Sequence, residues 1–76
     1  MKTTIQAANE VREAIAPLPD GYFVGIAGDG SDRIFVGNAD LCFSIHKHQI
    51  EDDVHVNIAL VLYPQLIMAS PAMGTA

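Results

Sequence analysis

The architecture of this chain hinges on one run, Val54-His55-Val56-Asn57-Ile58-Ala59-Leu60-Val61-Leu62. Taken with a period of two, Val56, Ile58, Leu60 and Leu62 share one side and His55, Asn57, Ala59 and Val61 the other. That alternation predicts a strand over residues 54–62. Upstream, Leu41, Phe43 and Ile45 alternate in the same way, which predicts a strand over residues 41–48. The segment between them, Gln49-Ile50-Glu51-Asp52-Asp53, reads as a turn.

Opposed residues of an antiparallel pair point to the same side, so both apolar sets reach one core when Ile45 faces Ile58. Phe43 then meets Leu60 and Leu41 meets Leu62. The other side pairs His48 with His55, His46 with Asn57, Ser44 with Ala59 and Cys42 with Val61.

Working toward the N-terminus, two further alternating runs predict strands over residues 22–27 and 33–37, separated by Gly28-Asp29-Gly30-Ser31-Asp32. Val24 and Ile26 fall beside Val36 and Ile34, and Phe23 and Phe35 fall on the opposite face with Phe35 over Gly25. Short loops imply antiparallel neighbours. Before them, Thr3 and Gln6 have capping-box spacing, and Ile5, Ala8, Val11, Ile15 and Leu18 make a helical stripe. A helix is expected over residues 4–16, stopped by Pro17 and by Pro19-Asp20-Gly21. The expected fold is α+β: one domain, an N-terminal helix on one face of a four-stranded antiparallel meander. An apolar tail over residues 63–76 follows, as a short helix or an extra edge strand.

Composition sets the functional limits. Seventy-six residues are too few for two lobes, and 50% hydrophobic content with 17% charge excludes intrinsic disorder. Net charge is −5, with Lys2, Arg12, Arg33 and Lys47 as the only lysines and arginines, so direct nucleic-acid binding is not expected. All charged residues lie between Lys2 and Asp53; everything from Val54 onward is uncharged. Asn57, Pro64, Gln65, Ser70 and Pro71 interrupt that end, so no membrane span is expected. Glu10, Arg12 and Glu13 interrupt any export-type apolar stretch, and Cys42 is the single cysteine, which fits a cytoplasmic protein without disulfides.

Chemistry-bearing motifs are few. The strand reading gathers His46, His48 and His55 on one face beside Glu51, Asp52 and Asp53, with cross-strand spacing of ~5 Å suited to Zn²⁺. Solvent-facing polar histidines are the simpler reading, and no cofactor is expected. Gly25-Ile26-Ala27-Gly28-Asp29-Gly30 reverses the dinucleotide fingerprint and precedes a strand rather than a helix, so it reads as a hairpin turn. Asp29 and Asp32 lack the remaining ligands of a calcium loop. Cys42 and His46 would lie ~13 Å apart along a strand, too far for a nucleophile and its base. The chain is therefore expected not to be an enzyme.

The reading that remains is a small acidic protein-binding module, an inhibitor or adaptor. By size and charge alone it is comparable with phage-encoded proteins that block host defence nucleases such as CRISPR complexes. Its contact residues are expected to be Phe23, Phe35, Cys42, Val61, Leu66, Ile67 and Met68, with Glu51, Asp52 and Asp53 steering a basic partner surface. Homo-oligomerisation through the same apolar patch is expected too. The alternatives are a metal- or pH-responsive protein using the three histidines, and a structural subunit of a homo-oligomer.

Overall fold

The computed structural model describes residues 2–69. Helix α1 covers Thr4–Ile15, and the strands are β1 Phe23–Ile26, β2 Ile34–Gly37 and β3 Cys42–Ile45. Two helices follow, α2 Lys47–Glu51 and α3 His55–Ala69.

Helix α1 begins as its capping box requires. The Thr3 hydroxyl accepts from the Gln6 backbone N–H at 3.1 Å, and the Gln6 side chain accepts from the Thr3 backbone N–H at 2.9 Å. Its buried stripe is Ala7, Ala8, Val11 and Ile15. Ile5, expected in that stripe, is 64% exposed, and Ala7 takes the inward position.

Proline-rich residues lead into the sheet. Gly21 has φ +85°, and the Tyr22 N–H donates to the Pro19 carbonyl at 3.1 Å, a turn that needs a residue tolerant of positive φ. The β1–β2 hairpin has the expected register: Val24 opposes Val36, Gly25 opposes Phe35 and Ile26 opposes Ile34. Strand β3 continues the antiparallel order, placing Ile45 against Ile34 and Phe43 against Val36. Asn38 shapes the β2–β3 turn by accepting from the backbone N–H groups of Asp40 and Leu41, each at 2.8 Å.

The expected fourth strand is a helix. Chain direction changes at His46, where β3 ends after four residues and α2 begins, so residues 46–48 leave the sheet. The Gln49 side chain accepts from the His46 N–H at 2.8 Å, and Ile50, expected in a turn, is only 6% exposed. Helix α2 closes with a Schellman turn: Val54 N–H to Gln49 C=O and Asp53 N–H to Ile50 C=O, both 3.0 Å. Asp53 takes the left-handed position of that turn, φ +59°, which glycine usually fills.

Helix α3 then runs through the predicted strand and into the predicted tail. Its buried residues, His55, Ala59 and Leu66, with half-buried Ile58, Leu62 and Tyr63, follow a helical repeat rather than an alternation. The expected pairings of residues 41–48 with 54–62 are absent; β3 keeps the β2 neighbour that the meander predicts and has no second strand partner among the described residues. Pro64 lies inside α3 and does not end it, though it supplies no N–H to the Leu60 carbonyl. The Gln65 side chain donates to the Val61 carbonyl at 3.3 Å, within the same turn. Tail residues 70–76 lie outside the described residues.

Both long helices cover one face of the sheet. A single core joins Ala7, Ala8, Val11 and Ile15 of α1, Val24, Ile34, Val36 and Ile45 of the sheet, Ile50 of α2 and Ala59 of α3. Alanines at positions 7, 8 and 59 are buried in this core, small side chains that suit close packing of α1 on α3. The sheet's other face carries Phe23, Phe35, Cys42 and Ser44. Among the described residues no helix is long and apolar enough to cross a membrane.

Candidate functional site

The expected histidine cluster is divided between two places. His46 and His48 stack at 5.9 Å with their planes 13° apart, exposed at the start of α2. His55 lies at the start of α3 and is 0% exposed. A strand would have aimed all three rings one way; the turn into α2 and the helical repeat of α3 send His55 inward. The joint metal site of His46, His48 and His55 is therefore not formed.

His55 instead meets α1 and the α2–α3 turn. Its Nε2 lies 2.6 Å from Glu10 Oε1, and the same oxygen takes Lys2 Nζ at 2.7 Å. Lys2 Nζ also reaches Asp53 Oδ1 at 3.4 Å. The Glu10 carboxyl is held below its usual range, chiefly by the hydrogen bond from Lys2 and next by that from His55. The Lys2 ammonium is correspondingly raised, chiefly by Glu10. Ionised Glu10 can only accept, so Nε2 of His55 carries the proton and donates. Nδ1 of His55 is buried and has no hydrogen-bond partner; Asp53 Oδ1, at 3.9 Å, is beyond hydrogen-bonding distance. The only other buried side-chain polar atom without a partner, among the described residues, is the Tyr22 hydroxyl, whose ring packs edge-on against Tyr63 at 6.3 Å.

Sequence order gives no mark that Glu10 and Lys2 join His55. Glu10 reads as a solvent residue of α1, and only the packing of α3 along α1 brings it there. The available signal was the spacing His55, Ala59 and Leu66, which puts His55 on the buried stripe once the run is taken as helical.

The expected contact residues fall on three surfaces. Phe23, at 43% exposure, Phe35 and exposed Cys42 share the outer face of the sheet, where the Arg33 guanidinium lies 5.3 Å from the Phe35 ring centroid. Val61 and Met68 are exposed on α3, with Leu60 beside them, whereas Leu66 is buried and unavailable for contact and Ile67 is half-buried. Glu51, Asp52 and Asp53 are exposed at the turn into α3.

Helix α3 is consequently apolar on two sides. Its inward stripe fills the core, and its outward stripe holds Leu60, Val61, Pro64 and Met68, with Met68 87% exposed. Beside that stripe a shallow groove of about 420 Å³ is lined by Gln49, Asn57, Ile58, Val61 and Leu62. A second depression, near β3 and α2, is lined by Ser31, Arg33, His46, Lys47, His48 and Glu51. Its two fixed cations already face carboxylates, Arg33 to Asp29 at 3.4 Å and Lys47 to Asp32 at 3.8 Å. Comparison with protein families, with curated proteins and with solved structures finds no match to this chain.

Proposed function

We propose that this chain is a non-catalytic protein-binding module, an inhibitor or adaptor, whose contact surface is the outward stripe of α3. The observation that carries this reading is the pair of exposed residues Val61 and Met68, with Leu60, on a helix that has no charged residue. A helix needing only one buried face would normally carry charge on its other side. A contiguous apolar stripe at the surface is the usual mark of an interaction site. The partner suited to it has an apolar groove with a basic rim, because Glu51, Asp52 and Asp53 border the N-terminal end of the same helix.

The test is capture of partners by the tagged chain against a Val61→Lys, Met68→Lys variant. Both residues are exposed, so circular dichroism should be unchanged while the captured proteins are lost. Capture that survives both substitutions removes α3 from the interface. The same stripe favours self-association as the second reading, since a chain of net charge −5 meets its own copy with least repulsion through an uncharged face. Light scattering separates the two: a dimer that becomes monomeric in the double-lysine variant assigns the stripe to a second copy.

A further inference from the structure

We propose that His55 Nδ1 and Asp53 Oδ1 form the protein half of a binding site for a first-row divalent cation such as Zn²⁺, with Glu10 fixing the imidazole from behind. The starting point is the orphaned Nδ1. His55 is 0% exposed, its Nε2–H is committed to Glu10 at 2.6 Å, and its Nδ1 has no partner. In the neutral imidazole Nδ1 is a bare lone pair, and a buried acceptor left without a donor is unfavourable. That lone pair is compensated by a cation as well as by a proton.

Geometry favours the metal. Nδ1 and Asp53 Oδ1 are 3.9 Å apart, too far for a hydrogen bond. Two metal–ligand bonds of about 2.0–2.1 Å at the tetrahedral angle span about 3.3 Å, so the exposed Asp53 carboxylate has to close on the ion by about half an ångström. One ligand atom each from Glu10, Asp53 and His55 lies within 4.8 Å of the others. A carboxylate accepting from the far nitrogen of a ligating histidine is the arrangement that fixes the tautomer and strengthens the ligand. Here Glu10 takes that place, and water completes the coordination on the exposed side of Asp53.

Two further observations point to the same atoms. Asp53, at φ +59° in the left-handed position of the turn, places its carboxylate oxygen 3.9 Å from His55 Nδ1. Charge also fits: Glu10 and Asp53 together exceed Lys2 by one negative charge, so the cluster attracts a cation. Lys2 is the built-in competitor, its Nζ 3.4 Å from Asp53 Oδ1. An incoming ion displaces that contact, and Lys2 keeps its closer bond to Glu10.

The experiment is a titration of Zn²⁺ into the metal-free chain, followed by calorimetry, thermal unfolding and ring ¹⁵N shifts of the histidines. Expected is a saturable one-to-one heat, a rise in melting temperature with zinc, and a shift at Nδ1 of His55. Asp53→Asn and Asp53→Gly both suit the left-handed turn and should fold, yet lose at least about ten-fold in affinity. Lys2→Met should bind more tightly than the parent chain, and His46→Ala, His48→Ala should bind equally well. The proposal is overturned by an absence of zinc response in both the parent and Lys2→Met. Affinity unchanged in Asp53→Asn, or lost in the His46, His48 variant, overturns it as well.

Discussion

The β1–β2 hairpin and helix α3 carry the same kind of residues and yield to opposite kinds of reading. In the hairpin, strands of four residues are bracketed by Gly21 and by the 27–33 loop, and the alternation that carries Val24, Ile34 and Val36 fixes which side is buried, although Ile26, expected on that side, is 42% exposed at the end of β1. A slip of β2 by one residue would put Phe35 in the core and Ile34 and Val36 outside it, so the register has one good solution. In α3, Ile58 through Tyr63 is apolar without interruption, and no choice of period leaves a polar side. An apolar pattern specifies structure through its gaps, and α3 has almost none.

Sharpest as a test of this contrast is the pair Ala59→Asp and Leu60→Asp. In a strand Leu60 would face the core and Ala59 the outside; in α3 Ala59 is 0% and Leu60 49% exposed. Ala59→Asp should therefore cost about 3–5 kcal/mol, the scale of an unpaired buried charge, or prevent folding. Leu60→Asp should stay near the ~0.5 kcal/mol typical of surface changes. Urea melts of both variants decide it, and the reverse ranking would restore the strand.

Next in size is Gly37→Ala, which probes the hairpin side. Gly37 has φ +152°, and a Cβ there would overlap the Leu41 carbonyl and the Cys42 backbone. The combined conformational and steric cost is about 3 kcal/mol, read as a fall in urea midpoint at constant slope. An effect under ~1 kcal/mol would mean that the β2–β3 turn yields more easily than its backbone suggests.

Pro64→Ala should act in the opposite direction. Proline inside a helix costs up to ~3 kcal/mol relative to alanine, and this position is exposed, so the substitution should stabilise by about 1–3 kcal/mol. Loss of stability instead would show that Pro64 is needed where it stands.

A smaller effect concerns pH. Glu10 titrates below its ordinary 4.5 because Lys2 and then His55 donate to it. A depressed folded value means that this contribution is present above about 4.5 and is lost as pH falls through the folded value. Melting temperature should therefore drop more steeply on acidification in the parent chain than in Glu10→Gln. Parallel curves would show that the contacts joining α1 to α3 are energetically minor.

Part of the candidate site was legible and part was not, for the same reason as the fold. Asp53 was recognisable as an acid at a turn, and Val61 and Met68 as apolar residues without an assigned place in the core. The alternating pattern singles out His55 but gives it the wrong neighbours, because a strand sends positions 46, 48 and 55 to one side. In the helix, His55 shares the inward stripe with Ala59. Glu10 carried no signal, since a glutamate on an amphipathic helix normally faces water.

The sequence by itself determined the capped N-terminal helix, the two-residue alternation of the first hairpin and its register, and the absence of charge beyond Asp53. These are local: each depends on a cap, a turn residue or a period that neighbouring positions supply. Tertiary structure alone decided that residues 55–69 coil rather than extend, that Ala7, Ala8 and Ala59 bring α1 against α3, and that Lys2, Glu10, Asp53 and His55 meet. An evenly apolar run has comparable burial available as strand or helix. What remained to choose between them was which one fills the space over the inner face of the sheet beside α1, and that space exists only once the rest of the chain has folded.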